Sequence, residues 1–315
     1  MEYAGIRALS WLINVLPCHG ALFTGWLAAW FSFYVFHFRV SAAKQRIQKV
    51  FGNRFPTREI NRIAWLSWRN FIFTAVEVMR SSSMTAEWVK SISDCEHFMG
   101  VLLEHCKTKR GAILATPHMG SWELAGVACH LFGVPIFSIA GRQRNPLFDK
   151  YLNQQRERSG LPIVVRGSSL LKGVIKNLRS GKVLALLPDV RMPTAGLSIN
   201  FLTAKANVGT GMAMFARHAG VPIFPCIITR VGWGRHRFRI YSPIWPDMEL
   251  DKNTDAYRMT REVFRIIEEA VQAEPEQWFW FNKRWVLEPL VESRSIAPRG
   301  GAPTKMLIRQ DCHTL

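Results

Sequence analysis

Short apolar runs alternate with helix-like stretches between residues 111 and 229, and this alternation limits the possible fold more than any other feature. The runs are rich in Val, Ile and Leu, which is typical of buried strands. Strands are predicted at 111–116, 134–140, 161–166, 182–188 and 221–229, with an alternating edge strand at 235–242. Helices are predicted between them at about 121–131, 145–159, 168–180 and 210–219. The order predicts an α/β fold with a mostly parallel or mixed central sheet flanked by helices.

Further helices are predicted on either side of this region. Residues 56–80 and residues 254–273 carry apolar residues at a helical rather than an alternating period. The stretch PEQWFWFNKRW at 275–285 is predicted as a short helix that begins at a proline. Beyond Pro289 the periodicity fades, and residues 289–315 are predicted to form a flexible tail.

The N-terminal 40 residues contain a long uncharged segment. No Lys, Arg, Asp or Glu occurs between Arg7 and Arg39, and residues 20–38 are rich in Phe and Trp. A helix over that stretch is about 28 Å long, enough to cross a hydrocarbon core or to lie in one leaflet. Basic residues follow it at Arg39, Lys44, Arg46, Lys49 and Arg54. We predict a membrane-associated anchor in residues 1–40, with the main body on the cytoplasmic side. A cleaved signal peptide and a buried core helix are the alternatives.

The charge balance is strongly basic. Lys and Arg number 41 against 23 Asp and Glu, a net charge of +18. This charge suits an anionic partner such as nucleic acid, an anionic membrane surface, a phosphorylated substrate or an acidic carrier protein. Nucleic acid is disfavoured because the basic residues are dispersed and accompany a membrane-length apolar run. Six cysteines without a C-x-x-C pair indicate a reduced compartment, and no metal or cofactor is predicted.

Several familiar chemistries lack their motifs in this sequence. There is no G-x-S-x-G elbow, no H-E-x-x-H pair and no G-x-x-x-x-G-K-[ST] loop, and GTGMAM at 209–214 lacks the third glycine of a dinucleotide fingerprint. Serine hydrolase, metalloprotease, P-loop and Rossmann interpretations therefore have no support.

One short stretch does carry a candidate acid–base pair. In ATPHMGSWELAG, residues 115–126, His118 and Glu123 are five positions apart where a strand ends and a helix begins. On one helix they would point about 140° apart, so His118 must lie on the turn and Glu123 in the first helical turn. Glu123 can then accept a hydrogen bond from one ring nitrogen while the other takes a proton. Gly120 leaves space for a substrate, and amides at the helix start can bind negative charge.

Spacing by itself leaves a second interpretation open. Glu123 then only favours the helix N-terminus by its charge, and His118 is a polar turn residue.

The stretch nevertheless resembles the lysophospholipid acyltransferase superfamily, whose signature is H-x4-D/E. Within it, the bacterial lipid A late acyltransferases carry H-F-G-N-W-E at this place. HMGSWE keeps His118, Gly120, Trp122 and Glu123 of that pattern.

Three further blocks extend the resemblance over about residues 10–288. Residues 142–160 are similar to the family's R-x-x-x-N-P-L-x-D block, and residues 186–230 to a block with Pro-Asp, a V-x-F-F-G run and a Thr-Gly helix start. Residues 275–285 are similar to P-E-Q-W-x-W-x-H-R-R-W, with Asn282 in place of histidine. The ordered blocks favour the catalytic pair, a glycerolipid acyltransferase-like fold and an acyltransferase domain at 41–288.

The sequence departs from the family in places that bear on acceptor recognition. The family's arginine falls on Gly141, so Arg142 or Arg144 must serve after a one-residue shift. Pro-Asp-Gln is Pro188-Asp189-Val190 here, and the glycine of F-F-G is Thr203.

The resemblance implies transfer of a fatty acyl chain from an acyl carrier protein thioester to a hydroxyl of a lipid A precursor. His118 would deprotonate the hydroxyl, Glu123 would hold the ring, and no acyl-enzyme would form. The implied substrate-binding residues are Gly120, Trp122, Arg142, Arg144, Asn145, Asp189 and Thr210. Arg142 or Arg144 with Asp189 would hold a phosphate of acceptor or carrier and orient the pair, or would form a structural salt bridge at the sheet rim.

The implied partners are acyl carrier protein, a phosphorylated glycolipid and the anionic surface of the inner membrane. The same chemistry on a phosphatidylinositol mannoside, an ornithine-type lipid or a lysophospholipid, with acyl-CoA as donor, is the alternative. The aromatic WFWF stretch of 275–285 is predicted either to contact the membrane interface or to pack under the sheet.

Overall fold

A six-stranded sheet forms the centre of the protein. The computed structural model describes residues 2–140, 154, 160, 162–165 and 170–287. In chain order the strands are β1 (Ala112–Ala115), β2 (Ile136–Ala140), β3 (Ile163–Val165), β4 (Val183–Leu186), β5 (Leu197–Phe201), β6 (Ala204–Val208), β7 (Ile223–Val231) and β8 (Arg235–Ile240). The sheet order is β3-β2-β4-β1-β7-β8, and β5 and β6 form a separate hairpin.

The strand directions confirm the predicted α/β class. β1 pairs in parallel with β4 and β7, and β2 pairs in parallel with β3 and β4. β8 is antiparallel to β7 at one edge. Because parallel strands need crossover connections, helices cover both faces of the sheet.

The helices match most of the predicted positions. They are α1 (Glu2–Val15), α2 (Cys18–Trp30), α3 (Val40–Phe51), α4 (Thr57–Arg80), α5 (Ala86–Ile92), α6 (Glu96–Lys107), α7 (Trp122–Leu131), α8 (Leu170–Arg179), α9 (Gly211–Ala219) and α10 (Lys252–Ala273). The helix predicted at 145–159 falls almost entirely outside the described residues, and the tail at 289–315 lies wholly outside them.

Alternate residues of the strands face two different cores. On β1, Ala112 and Leu114 pack into a cluster with side chains of α5, α6 and α7. Ile113 and Ala115 face the opposite cluster, which contains side chains of α3, α4, α8, α9 and α10. Burial on both faces explains why the central strands read as continuous apolar runs rather than alternating ones.

Several parts of the secondary structure differ from the sequence-based expectation, among them helices α3, α5 and α6, which were not predicted. Only Pro275–Gln277 forms a short 3-10 turn, and the helix predicted over 275–285 is wrong beyond it. Trp278 instead forms a bridge with Met119, so pairing with a distant loop takes the backbone that a helix would use. The β5–β6 hairpin was not predicted.

The N-terminal segment is not one straight helix. α2 begins after Pro17 and ends at Trp30, and a π-helical turn over Phe31–Val35 follows it. Within the described residues, no single helix is long and apolar enough to cross a membrane. Only the pair Cys18–Val35 and Val40–Arg54, bent by 85°, passes that test of length and composition jointly. α2 packs closely on α4, and a Cβ built on Gly25 would lie 2.9 Å from Val76 Cγ2.

Candidate active site

His118 and Asp189 meet at the carboxyl ends of two neighbouring strands. β1 and β4 pair in register, with Ala115 opposite Leu186, and each chain continues into a loop at the same edge of the sheet. His118 Nδ1 lies 2.7 Å from Asp189 Oδ1. The backbone N–H of His118 also donates to Asp189 Oδ2 at 2.9 Å. One carboxylate therefore fixes both the main chain and the ring of the histidine.

Asp189 is held in its ionised form. Its side chain is 1% exposed, and Trp278 Nε1 donates to Oδ2 at 2.8 Å. Burial raises the pKa of the Asp189 carboxyl, but the charge of His118 and hydrogen bonds from His118 and Trp278 outweigh it and bring the pKa below its ordinary value. Because an ionised carboxylate only accepts hydrogen bonds, Nδ1 of His118 carries the proton and Nε2 is left as the basic nitrogen.

The hydrogen bond that sequence analysis assigned to Glu123 is made, at Nδ1, by Asp189. Glu123 is the second residue of α7 and half-buried, in the first helical turn as expected. The adjacent strands bring residue 189 to the ring across 71 positions of sequence, which no local spacing could indicate. The orienting role implied for Asp189 fits this geometry, and the catalytic role of Glu123 stays a prediction.

Gly120 has a steric function different from the expected one. Its φ is +58°, and a Cβ there would lie 2.2 Å from the carbonyl oxygen of Ile228. The position that a Cβ would take is thus occupied by the β7 backbone, and the substrate contact expected of Gly120 stays a prediction. Gly120 N donates to the Gln277 carbonyl at 3.0 Å. Glycine is needed here for the left-handed conformation and for the close approach.

Aromatic rings form a continuous path from the histidine to the N-terminal region. The Trp122 ring lies 5.2 Å from that of His118, and 6.3 Å from that of Phe71. Phe71 lies 5.5 Å from Trp68, which in turn lies 5.2 Å from the half-exposed Phe38. Trp122 thus lies beside His118, its substrate-binding role stays a prediction, and a row of apolar rings leads away from it.

The other predicted binding residues are not brought together by the described geometry. Arg142, Arg144 and Asn145 lie outside the described residues. Thr210 precedes α9, and its hydroxyl contacts Met214 Sδ at 3.4 Å. In the described part of the chain, no group of three or more His, Cys, Asp or Glu side chains is placed to hold a metal ion.

Trp278 is the site residue that sequence analysis missed. It was considered only as a packing or interfacial ring, whereas its indole binds the carboxylate of Asp189. Trp278 and Trp280 are also buried, as the packing interpretation expected. The similarity of the PEQW block to the family pattern was the one sequence signal for Trp278, but it did not indicate that Asp189 is its hydrogen-bond partner.

The fold and the pair define the class: an α/β protein with a histidine–carboxylate pair at the carboxyl edge of a parallel sheet and no nucleophile motif. A family model described as bacterial lipid A biosynthesis acyltransferase matches residues 2–286. The chain therefore belongs to that family.

Individual relatives are more distant. The chain is 23% identical over 210 residues to a phosphatidylinositol mannoside acyltransferase of Mycolicibacterium smegmatis, covering 65% of each chain. It is 28% identical over 208 residues to the lipid A biosynthesis lauroyltransferase of Escherichia coli K12, covering 65% of this chain and 64% of the relative. The palmitoleoyltransferase of the same organism is 27% identical over 189 residues, 58% of each chain. The matches thus span less than two thirds of these relatives.

Proposed function

We propose that the protein is a membrane-associated O-acyltransferase that moves a fatty acyl chain from an acyl carrier protein thioester to a hydroxyl of a lipid A precursor. The observation that carries the proposal is the His118–Asp189 pair, in a chain whose family is described as bacterial lipid A biosynthesis acyltransferase. A direct transfer of an acyl group from a thioester sulfur to a hydroxyl oxygen requires a general base, and the pair holds the imidazole in the tautomer that can act as one.

The proposed step needs no covalent enzyme intermediate. His118 Nε2 takes the proton of the acceptor hydroxyl while the oxygen attacks the thioester carbonyl. The new C–O bond forms, the C–S bond breaks, and the leaving thiolate takes the proton from the imidazolium. Asp189 stabilises the imidazolium in between, because its charge lies 2.7 Å from Nδ1.

Developing negative charge on the carbonyl oxygen can be met at the start of α7. Ser121 precedes this helix but its side chain makes no capping hydrogen bond. The Ser121 hydroxyl therefore does not compete for the first-turn amides, and helix N-termini favour anions. The predicted role of Glu123 in the same turn, to hold the imidazole of His118, stays part of the proposal.

Two lipids are candidates for the acceptor. Similarity to phosphatidylinositol mannoside acyltransferases of mycobacteria favours that lipid as a second candidate acceptor. Purified protein should be incubated with labelled acyl carrier protein or acyl-CoA and with each acceptor in turn. Transfer to the lipid A precursor from the carrier protein supports the first candidate. Transfer only to the mannoside, or only from acyl-CoA, replaces it.

His118→Ala tests the chemistry itself. The rate of transfer by the variant should fall by at least about a thousandfold, since the substitution removes both the general base and the group that orients the acceptor hydroxyl. His97→Ala is the matched control, because His97 is exposed on α6 away from the described pair. Undiminished transfer by His118→Ala would end the mechanism, provided that the wild type is active.

The membrane location is proposed from exposed apolar side chains. Half-exposed or more exposed aromatic residues gather in the first 40 positions: Trp11, Phe23, Trp30, Phe31, Tyr34, Phe36 and Phe38. Such patches mark interaction surfaces, and the net charge of +18 favours an anionic leaflet. We place this surface at the inner membrane, with the sheet domain on the cytoplasmic side.

Flotation with vesicles of phosphatidylethanolamine and phosphatidylglycerol tests this surface. Trp30→Ser combined with Phe36→Ser should weaken binding about tenfold or more, because burial of each ring in lipid is worth about 1.5–3 kcal/mol. Trp245→Ser with Met248→Ser is the control, since these side chains are also exposed but lie outside the N-terminal region. Equal binding of both double variants contradicts the assignment.

A further inference from the structure

Glu77 is a buried carboxylate that takes no part in the proton transfer. It lies on α4 with 5% exposure. Arg230 donates to both of its oxygens, Nη1 at 2.8 Å and Nη2 at 2.7 Å. His236 Nε2 lies 3.1 Å from Oε1. Burial raises the pKa of Glu77, but the charges of Arg230 and His236 hold it well below its ordinary range.

The same carboxylate holds the loop that carries His118. Ser121 Oγ donates to Glu77 Oε2 at 2.5 Å, and Ser121 is fully buried. Serine before a helix ordinarily caps the first-turn amides. Here the hydroxyl forms no such cap and is bound to α4 instead. The interaction therefore fixes the loop end at the expense of a local helix-stabilising contact.

A second group on α4 holds the neighbouring residue of the loop. Thr74 precedes Glu77 by three positions, so both lie on one face of the helix. Thr74 Oγ1 lies 3.0 Å from the carbonyl oxygen of Gly120 and 3.0 Å from that of Asn70 in its own helix, so its one proton is shared between the loop and α4. One helix face thus holds two consecutive residues of the loop, and the second of them precedes α7 directly.

Arg230 connects this arrangement to the segment that contains Gln277 and Trp278. Gln277 bonds both backbone groups of Arg230, accepting from its N–H at 2.9 Å and donating to its carbonyl at 3.0 Å. The Gln277 carbonyl in turn accepts from Gly120 N–H. The next residue is Trp278, which binds Asp189. Both partners of the catalytic pair are therefore reached from the Glu77–Arg230 ion pair.

We propose that Glu77 is a positioning residue for the transfer reaction and acts through Ser121, with Arg230 as its counter-ion. The inference rests on the proposed function. The loop between β1 and α7 spans only residues 116–121, so a shift at its end moves His118 relative to the substrates. A misplacement of about 1 Å can cost on the order of a hundredfold in rate. A buried ion pair adds little net stability, because removing its charges from water costs free energy, but it holds its partners in one geometry.

Ser121→Ala tests the connection without unpairing Glu77 from Arg230. Removing one such hydrogen bond should lower kcat about tenfold and leave KM within about twofold. Hydrogen exchange of the peptide covering 116–121 should become faster. Thr74→Val should act in the same direction, and Thr74→Ser, which keeps the hydroxyl, should restore kcat. These readouts separate positioning from general stability.

Ser81→Ala is the control, because Ser81 is also buried but its hydroxyl donates within its own turn, to the Val78 carbonyl. A kcat for Ser121→Ala equal to that of Ser81→Ala overturns the proposal. So does unchanged exchange of the loop, or a loss of kcat that Thr74→Ser does not restore. If wild-type protein transfers no acyl group to any acceptor, the proposed function fails, while the exchange measurement still decides whether Glu77 holds the loop.

Discussion

Replacement of Asp189 by asparagine gives the sharpest test of the site, because the change keeps the shape and alters only the hydrogen-bond pattern. Oδ2 accepts from two N–H groups, the backbone of His118 and the indole of Trp278. The amide oxygen of asparagine must therefore occupy that position. Its NH2 group then faces Nδ1 of His118, which becomes an acceptor, and the ring proton moves to Nε2.

The expected loss follows from this change of tautomer. With a proton on Nε2 the imidazole has no basic nitrogen toward the substrate, and no anion stabilises the imidazolium. Comparable substitutions in histidine–carboxylate systems cost about ten-thousandfold in kcat, and we expect between a thousandfold and ten-thousandfold here, or about 4–5.5 kcal/mol. The folded state should lose only about 1–3 kcal/mol, the usual range for hydrogen bonds to a charged group.

The assay is single-turnover transfer at saturating donor, with thermal unfolding measured in parallel. Asp251→Asn is the matched control, because Asp251 caps α10 by accepting from backbone N–H groups, a role that asparagine also fills. Glu123→Gln completes the set. An Asp189→Asn rate within about threefold of wild type, with a large loss in Glu123→Gln, would refute the structural assignment and favour the sequence-based one.

The remaining predictions concern stability and the surroundings of the pair. Gly120→Ala should lower the free energy of unfolding by about 2–4 kcal/mol, and Gly220→Ala, which shares a positive φ but has open space, by about 1 kcal/mol, as measured in urea. Trp278→Phe should lower kcat about tenfold and raise the pKa of Asp189 by removing one donor, which a pH–rate profile would detect. Because the folded pKa values of Glu77 and Asp189 lie below the ordinary 4.5 and 3.8, the unfolded chain binds more protons in acid. Their stabilisation is complete above about pH 5 and is lost as the pH falls through the folded pKa values; constant unfolding free energy from pH 7 to pH 3 would contradict this.

The sequence determined the parts of the fold that follow from local patterns. Apolar runs without alternation predicted β1, β4 and β7 as buried parallel strands, since both of their faces are covered. The 3.6-residue period predicted α4 and α10 to within a few residues. The sequence also indicated His118 as a candidate base, because Pro117 and Gly120 place it on the turn between a strand and a helix.

Tertiary structure decided which carboxylate meets Nδ1 of His118. Glu123 is near in sequence, but Asp189 follows a strand paired directly with β1, and parallel pairing brings the two loop ends together. The same holds for Trp278, whose segment pairs with Met119 instead of forming the expected helix. The interaction of Glu77 with Ser121 likewise depends on where α4 packs in the fold. Periodicity reports which side of an element is buried, whereas the partner across the fold is set by strand order and register.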